Sequence, residues 1–415
     1  MQDSSRYAVG IDVGTTMVRA VVGHVDPITG TPTIVGVGQA PNSGMRKGVV
    51  TNLTGPAHAI DTALGEAERM SGHEVNEAIV SVNGAHILST KADGMIAVGM
   101  MDHEINPEDL TRIEEVATVG KIPQNREVLE VVPHSYVLDG QTGIKEPLGM
   151  SGSRLEIIAN VVSALTPYVQ NVEKVAEMAT VKPHGVIVAG LGAAKAVLKE
   201  AQLESGVAVV DLGGSTTTVS VFEEGDLQYV GVIPTGGVNI TNDLAIGLKT
   251  DPEVAEEVKL KHASAVARSG NDGVSVKRDG EIYNFETHEI DEIVEARLEE
   301  IFEAVQKELK KAGSAGKLPS GVVLTGGTAN LKGIADFAKE QLGLAARIGK
   351  PAGFGGVADN VTNPEFATAV GLMLLDAESD GITQGRSNKH GGPDLKSAAK
   401  KTTGIVSQFL KRFKA

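Results

Sequence analysis

Short β-rich runs and longer amphipathic runs alternate along most of this chain. From Tyr7 to Ala40, hydrophobic residues fall in three short runs separated by Gly, Pro and Asp, which predicts a meander of antiparallel strands. Apolar residues then recur at helical spacing from Pro56 to Met70, and a strand is predicted from Glu77 to Val82. A helix is predicted from Thr166 to Ala179, followed by a strand that runs into another helix in GVIVAGLGAAKAVL. The pattern as a whole predicts a mixed α/β fold.

The stretch from about Gly84 to Leu165 has predicted elements of its own. Its strands are expected in GMIAVGM, REVLEVV and RLEIIANVV. Its helix is expected to begin at Asn106, because Asn-Pro-Glu-Asp is typical of a helix N-terminus. We interpret this stretch as a small module inserted into the larger α/β pattern.

A long run from Asp291 to Lys311 predicts one core-facing amphipathic helix. Its apolar residues lie on one side of a helix at Ile293, Val294, Leu298, Ile301, Phe302, Val305 and Leu309. Because a single helix that packs on a core accounts for this pattern, a coiled coil is not needed to explain it.

One glycine-containing pattern occurs twice and a related turn occurs a third time. VGIDVGTT at Val9–Thr16 is matched by VDLGGSTT at Val210–Thr217, and VVLTGGT at Val322–Thr328 also places a Gly-Gly turn after a strand. Glycines let backbone N–H groups approach phosphate oxygens, hydroxyls add donors, and an Asp at a strand end can hold the waters of Mg²⁺. Either hairpin alone is most simply an ordinary strand turn. The set together predicts two half-molecules that clamp a triphosphate.

The order and spacing of these turns resemble the actin, DnaK-type chaperone and sugar-kinase superfamily. Four further sequence segments are similar to the bacterial FtsA family of cell-division proteins: VNGAHI, REVLEVVPHSYVLDG, GIKEPLGMSGSRLE and AEEVKLKHA. The resemblance runs from about residue 6 to residue 376. It implies an actin-like α/β fold of two duplicated halves around a nucleotide cleft, with an inserted subdomain called 1C and a C-terminal amphipathic helix.

The resemblance also implies a division into subdomains. We expect 1A at 1–83, 166–200 and 366–376; 1C at 84–165; 2A at 201–240 and 313–365; 2B at 241–312; a flexible linker at 377–403; and an amphipathic membrane-targeting helix at 404–415. The function it implies is that of an ATP-binding protein that polymerises on the cytoplasmic face of the membrane at the division site. Such a protein binds the C-terminal peptide of the tubulin-like FtsZ, on subdomain 2B, and recruits later division proteins.

The family's nucleotide residues are carried over by position. The resemblance implies a first phosphate loop at Gly14, Thr15 and Thr16, and a second at Gly213, Gly214 and Ser215. It implies an adenosine loop at Gly326, Gly327 and Thr328, and a hairpin beside the nucleotide that is shaped by Gly236 and Gly237. Contacts to the ribose and base are implied at Glu256 and Lys259. Asp12 and Asp211 are implied to act in catalysis by facing a Mg²⁺ ion through its waters. Glu256 and Lys259 lie three residues apart on a predicted helix and can point to one side, although a solvated helix face is the simpler interpretation of that pair alone.

Hydrolysis of ATP is expected to be weak. In chaperones and actins a Glu or Gln at the strand–helix junction orients the attacking water, whereas Val188–Ala194 has no side chain that can do so. ATP would then act mainly as a structural ligand and a polymerisation switch. A metabolic kinase would also need an acidic base beside a substrate cleft, and the sequence offers none outside Asp12 and Asp211.

The last twelve residues, GIVSQFLKRFKA, have the pattern of a membrane-surface helix. On a helix, the apolar and basic residues that would contact lipid are Ile405, Val406, Phe409, Leu410, Phe413, Lys411, Arg412 and Lys414. The polar stretch before them, Glu378–Thr403, is too poor in large apolar residues to fold alone. The alternative for the tail is a terminal helix docked on the body. A pilus-assembly homologue of the PilM kind, which shares the 1C-type module, is disfavoured because it needs no such tail.

Composition limits the remaining functions. The chain has no cysteine, which excludes a disulfide scaffold, a thiol nucleophile and a cysteine zinc site. Its net charge of −15 repels both nucleic acid and anionic lipid, so contact with either must come from a local patch, and the basic tail is such a patch. The ten histidines show no HxxxH or HExxH spacing, and His134 is interpreted as structural. With neither a signal peptide pattern nor a long apolar run, we expect a chain that is neither exported by a signal peptide nor threaded through a membrane. The lack of cysteine indicates a reducing, cytoplasmic compartment, and the family resemblance implies a peripheral location on the cytoplasmic face of the membrane.

Overall fold

The computed structural model describes residues 6–98, 104–266, 268, 270, 272–356 and 361–379. The predicted membrane-targeting segment 404–415, and the predicted linker beyond residue 379, lie outside the described residues. The strands are β1 (Arg6–Val13), β2 (Met17–Val25), β3 (Pro32–Pro41), β4 (Met45–Arg46), β5 (Val49–Val50), β6 (Glu77–Val82), β7 (Leu88–Ala97), β8 (Arg126–Leu138), β9 (Gln141–Ile144), β10 (Arg154–Leu165), β11 (Lys182–Val188), β12 (Val207–Leu212), β13 (Thr217–Glu223), β14 (Asp226–Ile233), β15 (Gly273–Arg278), β16 (Glu281–Glu286), β17 (Val322–Thr325) and β18 (Ala346–Ile348). The helices are α1 (Thr54–Ser71), α2 (Pro107–Thr118), α3 (Thr166–Met178), α4 (Ala189–Val197), α5 (Glu200–Ser205), α6 (Gly237–Gly247), α7 (Pro252–His262), α8 (Thr287–Lys311), α9 (Ile334–Leu342) and α10 (Ala367–Ser379), with short 3-10 turns at Gly327–Asn330 and Pro364–Phe366.

Two five-stranded sheets share one topology. The first has the order β11-β6-β1-β2-β3 and the second has the order β18-β17-β12-β13-β14. In each sheet the first three strands along the chain form an antiparallel meander, and the two later strands join in parallel. The meander and the duplicated halves expected from sequence are therefore confirmed.

Helices cover the two sheets and join them. On the first sheet, α1 and α3 pack together on one face, while α4 and α10 pack on the other. Helix α4 also contacts β12 and β13 of the second sheet. Because its residues are almost all buried, this helix joins the cores of the two halves.

A smaller antiparallel sheet, of order β7-β10-β8-β9, forms the inserted unit. Helix α2 packs on one face and buries its own Ile113 in a core that includes Tyr136 and Leu155 of the sheet. The predicted helix start is confirmed, because the Asn106 side chain accepts hydrogen bonds from the backbone N–H groups of Glu108 (2.8 Å) and Asp109 (3.0 Å). The side chain of His134 lies between this unit and the second half, in agreement with its predicted structural role.

The structure differs from the expected elements at several boundaries, including the ends of β8 and β10 and the starts of α8 and β7. The long helix α8 begins at Thr287 rather than Asp291, because buried Thr287 and Ile290 fix an additional turn against the core. Strand β7 begins at Leu88, well before the apolar run GMIAVGM, because the polar residues of β7 pair continuously with β10. Cross-strand pairing thus outweighs local propensity there. No helix among the described residues is long and apolar enough to span a bilayer.

Glycine allows the backbones of α4 and α10 to cross closely. A Cβ atom on Gly371 would lie 1.7 Å from the carbonyl oxygen of Gly192, and one on Gly10 would lie 2.2 Å from the carbonyl oxygen of Ala369. Both distances are far inside van der Waals contact. The crossing of α4 with α10 therefore requires glycine at position 371, and the packing of α10 on β1 requires glycine at position 10.

We expect Gly371→Ala to lower the free energy of unfolding by about 3 kcal/mol, because α4 and α10 must move apart. The matched control is Gly65→Ala in α1, where an added Cβ meets no atom within 4 Å. There the helix should gain about 0.5–1 kcal/mol from the lost flexibility of glycine. Chemical denaturation of both variants measures the difference, and equal stability of the two would contradict this packing.

Candidate functional site

A cleft of about 580 Å³ lies between the two sheets, at the ends of their central strands. Most of the predicted nucleotide residues line it: Asp12, Gly14, Thr15, Thr16, Asp211, Gly213, Gly214, Gly237, Glu256, Lys259, Gly326, Gly327 and Thr328. Ser215 and Gly236, which were also predicted, are not among the lining residues. The fold thus brings together residues from both halves that lie far apart in the sequence.

The first hairpin, between β1 and β2, is held from outside the cleft. An added Cβ on Gly14 would lie 2.5 Å from the Met17 carbonyl oxygen, so the turn has no room for a side chain. Asn42 donates from Nδ2 to the Gly14 carbonyl (2.7 Å) and from its backbone N–H to the Thr16 carbonyl (2.8 Å). These bonds satisfy the outward carbonyls of the turn.

The second hairpin, between β12 and β13, is supported by the start of α6. The backbone N–H of Gly237 donates to the Gly213 carbonyl (3.0 Å), and that of Val238 donates to the Gly214 carbonyl (2.7 Å). Gly236 packs directly behind the hairpin, because its Cβ would lie 2.5 Å from the Gly213 carbonyl oxygen. Gly236 therefore shapes the hairpin without lining the cleft.

The two hairpins touch each other across the cleft. A Cβ on Gly214 would lie 2.6 Å from the Thr16 hydroxyl oxygen. Thr328, in the third glycine turn, donates its hydroxyl to the Gly213 carbonyl at 3.0 Å. Both hairpins and the third glycine turn are therefore within reach of one small ligand.

Two carboxylates lie deep in the cleft, one from each half. Asp12 accepts a 2.8 Å hydrogen bond from the Ser81 hydroxyl. Burial raises the pKa of Asp12, against the opposing effects of Arg19 and Ser81. Burial and then the charge of Asp12 raise the pKa of Asp211 to about 7, against a hydrogen bond from Thr325 and the charge of Arg19. Two like charges brought close without solvent make the ionised pair costly.

Arg19 is a functional candidate that sequence reasoning missed. It lies on β2 directly opposite Asp12 in the β1–β2 register and lines the cleft. Its guanidinium lies 5.3 Å from the centre of the Phe366 ring, and its buried Nε has no hydrogen-bond partner. The hairpin pairing of β1 with β2 was available from sequence and would have placed this cation beside Asp12.

Glu256 and Lys259 point to one side of α7, as their spacing allowed. Lys259 Nζ lies 2.6 Å from Glu256 Oε2 and donates to the hydroxyl of Thr241 at 2.9 Å. Thr241 in turn donates to Glu256. Leu260, the next residue, is 73% exposed although it lines the cleft, so an apolar surface is open at this end.

Other polar side chains line the cleft without having been predicted. Asn83, Thr216, Glu365 and Thr368 belong to this group. Thr216 lies within the second glycine motif, whereas Asn83, Glu365 and Thr368 lie outside these motifs, where single polar residues carry no recognisable sequence pattern. Only the tertiary fold reveals them.

The donor set fits a magnesium ion held largely by water and phosphate. Within the parts of the chain that the structure describes, no three His, Asp or Glu side chains form a metal cage. Mg²⁺ is commonly bound by one or two carboxylates together with substrate phosphates. Asp12 and Asp211 are the two carboxylates that would serve such an ion, and the buried Nε of Arg19 has no hydrogen-bond partner and could meet an anion.

Solved structures with the same fold are actin-like proteins. The PilM–PilN type IV pilus biogenesis complex aligns with a TM-score of 0.64 and 18% identity, over 89% of this chain and 98% of that one. MreB5 of Spiroplasma citri bound to ADP aligns with a TM-score of 0.54 and 14% identity, over 92% and 99%. At these identities the likeness establishes the fold, which confirms the predicted actin-like class.

Sequence comparisons are more specific. The family model for cell division protein FtsA matches residues 208–371, and the model for the SHS2 domain inserted in FtsA matches residues 84–163. FtsA of Pseudomonas aeruginosa is 37% identical over 386 residues, covering 92% of each chain. FtsA of Bacillus subtilis is 35% identical, over 93% of this chain and 86% of its own, and FtsA of Escherichia coli K12 is 32% identical, over 90% and 91%. This chain belongs to the FtsA family of bacterial cell-division proteins.

Proposed function

We propose that this protein binds ATP with Mg²⁺ and assembles into a filament that attaches the division machinery to the cytoplasmic face of the membrane. The observation that carries the proposal is the pair of equivalent glycine hairpins, one from each half, that face one cleft with an aspartate each. MreB5 of Spiroplasma citri, which shares the fold, has been solved with ADP and with AMPPNP. Those structures support a nucleotide as the ligand.

Each group of cleft residues has a role in this proposal. Backbone N–H groups of Gly14–Thr16 and Gly213–Ser215 donate to the phosphates, and Arg19 adds a positive charge beside them. Asp12 and Asp211 accept hydrogen bonds from the waters of Mg²⁺, which neutralises phosphate charge when bound. Gly326–Thr328 form the adenosine side, with Gly236 and Gly237 behind the second hairpin. Glu256 and Lys259 contact the ribose and base.

Slow hydrolysis follows from the wall of the cleft next to the phosphates. That wall is the start of α4, where the lining residue Ala189 has only a methyl group. No side chain of Val188–Ala194 can orient a water molecule, and orientation is a major part of phosphoryl-transfer rates. ATP is then a structural ligand and a polymerisation switch rather than a phosphate donor for a metabolite.

Membrane attachment and partner binding complete the proposal. The apolar and basic residues of 404–415 provide a surface anchor, which a polymer presents in many copies and so binds tightly. The filament then holds the C-terminal peptide of FtsZ and recruits later division proteins. Sequence identity of 32–37% with FtsA proteins over nine-tenths of the chain favours this role over that of a pilus-assembly protein.

The pH dependence of the cleft tests the assignment of Asp211. Its pKa is raised to about 7 in the folded protein, so the ligand-free protein should lose stability as pH rises from about 4 through 7. Mg-ATP affinity should change in the opposite direction and increase as Asp211 ionises. We expect Asp211→Asn to weaken the stability trend, to which Asp12 also contributes, and to remove the rise in affinity, with higher ligand-free stability at pH 8 and a loss of Mg-dependent ATP affinity. Thermal melts and fluorescent-ATP titrations at pH 6 and 8 measure both.

The outcome that contradicts this assignment is a D211N variant whose Mg-ATP affinity keeps the wild-type pH profile. Asp226→Asn serves as a control for loss of a buried carboxylate, because Asp226 lies outside the cleft lining. D226N should retain the rise of Mg-dependent affinity between pH 6 and 8, whatever its overall affinity.

Membrane attachment is tested by sedimentation with anionic vesicles in Mg-ATP. The full chain should pellet with lipid, and a chain that ends at Thr403 should stay in the supernatant, because it lacks the apolar face and its three basic neighbours. Phe409→Glu in the full chain is a matched variant that keeps the length. Equal pelleting of all three proteins would contradict the anchor, as would the absence of pelleting for the full chain.

A further inference from the structure

The inserted subdomain, residues 84–165, contacts the half of the molecule to which it is not directly connected. By chain connection it continues from β6 of the first half. Its side chains nevertheless bind the hairpin between β13 and β14, which belongs to the second half. His134 Nε2 donates to the Leu227 carbonyl (2.9 Å), and Asn160 Nδ2 lies 3.4 Å from the same oxygen.

We call this contact the latch. It is formed by His134, Lys145 and Asn160 of the insert and by Glu224–Leu227 of the second half. An ion pair strengthens it. Lys145 Nζ lies 3.0 Å from Asp226 and 3.2 Å from Glu224. The Asp226 side chain is only 3% exposed, so the pair is shielded from solvent on one side. Burial lowers the pKa of Lys145, but the two carboxylates more than offset it, so this lysine stays charged.

The hairpin in the latch is a rigid part of the second half. Its turn residues Glu224 and Gly225 both have positive φ (53° and 74°), as in the tight turns that match strand twist. The backbone N–H groups of these residues donate to the carbonyls of Glu204 (3.1 Å) and Leu203 (3.1 Å) at the end of α5. The latch therefore contacts a hairpin that is hydrogen-bonded to the rest of the second half.

Strand β13 connects the latch to the cleft. It ends at Glu223, next to the latch, and begins at Thr217, directly after the second phosphate hairpin. Seven residues of strand span about 20 Å. Because the strand lies between β12 and β14 in the sheet, a displacement at one end is transmitted to the other.

The residue that precedes the inserted subdomain contacts the cleft end of β13. Asn83, the residue before the insert, donates from Nδ2 to the Thr216 hydroxyl (3.2 Å) and accepts from the Thr218 hydroxyl at 3.1 Å. The same Oδ1 accepts from the backbone N–H of Gly84, the first residue of the insert (2.9 Å). The insert thus contacts one end of β13 through the latch, and Asn83, the residue before the insert, contacts the other end.

We propose that Asn83 and the Lys145–Asp226 pair are positioning residues for the nucleotide cleft, which hold the second phosphate hairpin against the first through β13. The proposal rests on the proposed nucleotide function. The described arrangement has the two hairpins in contact and the latch formed, so the latched state is the closed state. By reciprocity, a nucleotide that favours closure tightens the latch, and a broken latch weakens nucleotide binding.

The test variant is Lys145→Met, which removes the charge and keeps the length of the side chain. Its matched control is Lys121→Met, because Lys121 forms a 2.8 Å ion pair with Asp93 entirely within the insert. Lys145→Arg is the conservative variant. Mg-ATP affinity is measured with a fluorescent ATP analogue on the full chain, at concentrations where sedimentation velocity shows monomer, and thermal stability is measured in parallel.

We expect Lys145→Met to weaken Mg-ATP binding at least fivefold, although Lys145 does not line the cleft. Lys121→Met should leave the affinity within twofold of wild type, and Lys145→Arg should restore most of it. A Lys145→Met protein with a lower melting temperature and unchanged affinity would overturn the proposal, because the ion pair would then be only structural. If the wild-type chain binds no nucleotide, the proposed function itself fails, which is a distinct result.

Hydrogen–deuterium exchange gives the reciprocal measurement. In wild type, Mg-ATP should slow exchange in 224–228 at the latch as well as in the cleft hairpins. In Lys145→Met the slowing at 224–228 should be lost, while the cleft hairpins still respond at saturating nucleotide. Equal slowing at the latch in both proteins would contradict the coupling.

Discussion

The close approach of two glycine hairpins is the constraint on which the rest of this structure depends. Gly214 lies so near Thr16 that a single added methyl group would collide with its side chain. That approach allows backbone N–H groups of two separate sheets to reach one anion. Helix α4, which joins the two halves, in turn packs so closely on α10 that a Cβ on Gly371 would lie 1.7 Å from the Gly192 carbonyl oxygen.

The electrostatics of the cleft follow from the same geometry. Bringing the strand ends together also brings together Asp12 and Asp211, and burial raises the pKa of both. Arg19 opposes this rise in each case and is itself held by the β1–β2 pairing and the ring of Phe366. A divalent cation with bound phosphates would relieve the repulsion between the carboxylates, so the cleft is electrostatically suited to a metal-bound nucleotide rather than to either part alone.

Much of the fold could be predicted from the sequence because the local signals agree with the tertiary structure. The duplicated glycine motifs that contain Asp12 and Asp211 indicated that the fold has two similar halves. The N-terminal cap at Asn106 marked the start of the helix in the insert. The start of β7 could not be predicted, because LSTKAD is polar and becomes a strand only through pairing with β10. In the site, the glycine turns are visible in sequence, and the predicted β1–β2 hairpin would have placed Arg19 beside Asp12. The position of Asn83 depends on the pairing of β1 with β6, which the sequence does not show. The contact of Lys145 with Asp226 joins parts of the chain that share no local pattern.

The central claim is that both hairpins hold one nucleotide, and a crystal structure with AMPPNP and Mg²⁺ tests it most directly. The account predicts triphosphate density between Gly14–Thr16 and Gly213–Ser215. It also predicts a hydrated cation facing Asp12 and Asp211, and the base near Leu260. A cleft that stays empty at saturating nucleotide, or phosphates that contact one hairpin alone, would contradict it.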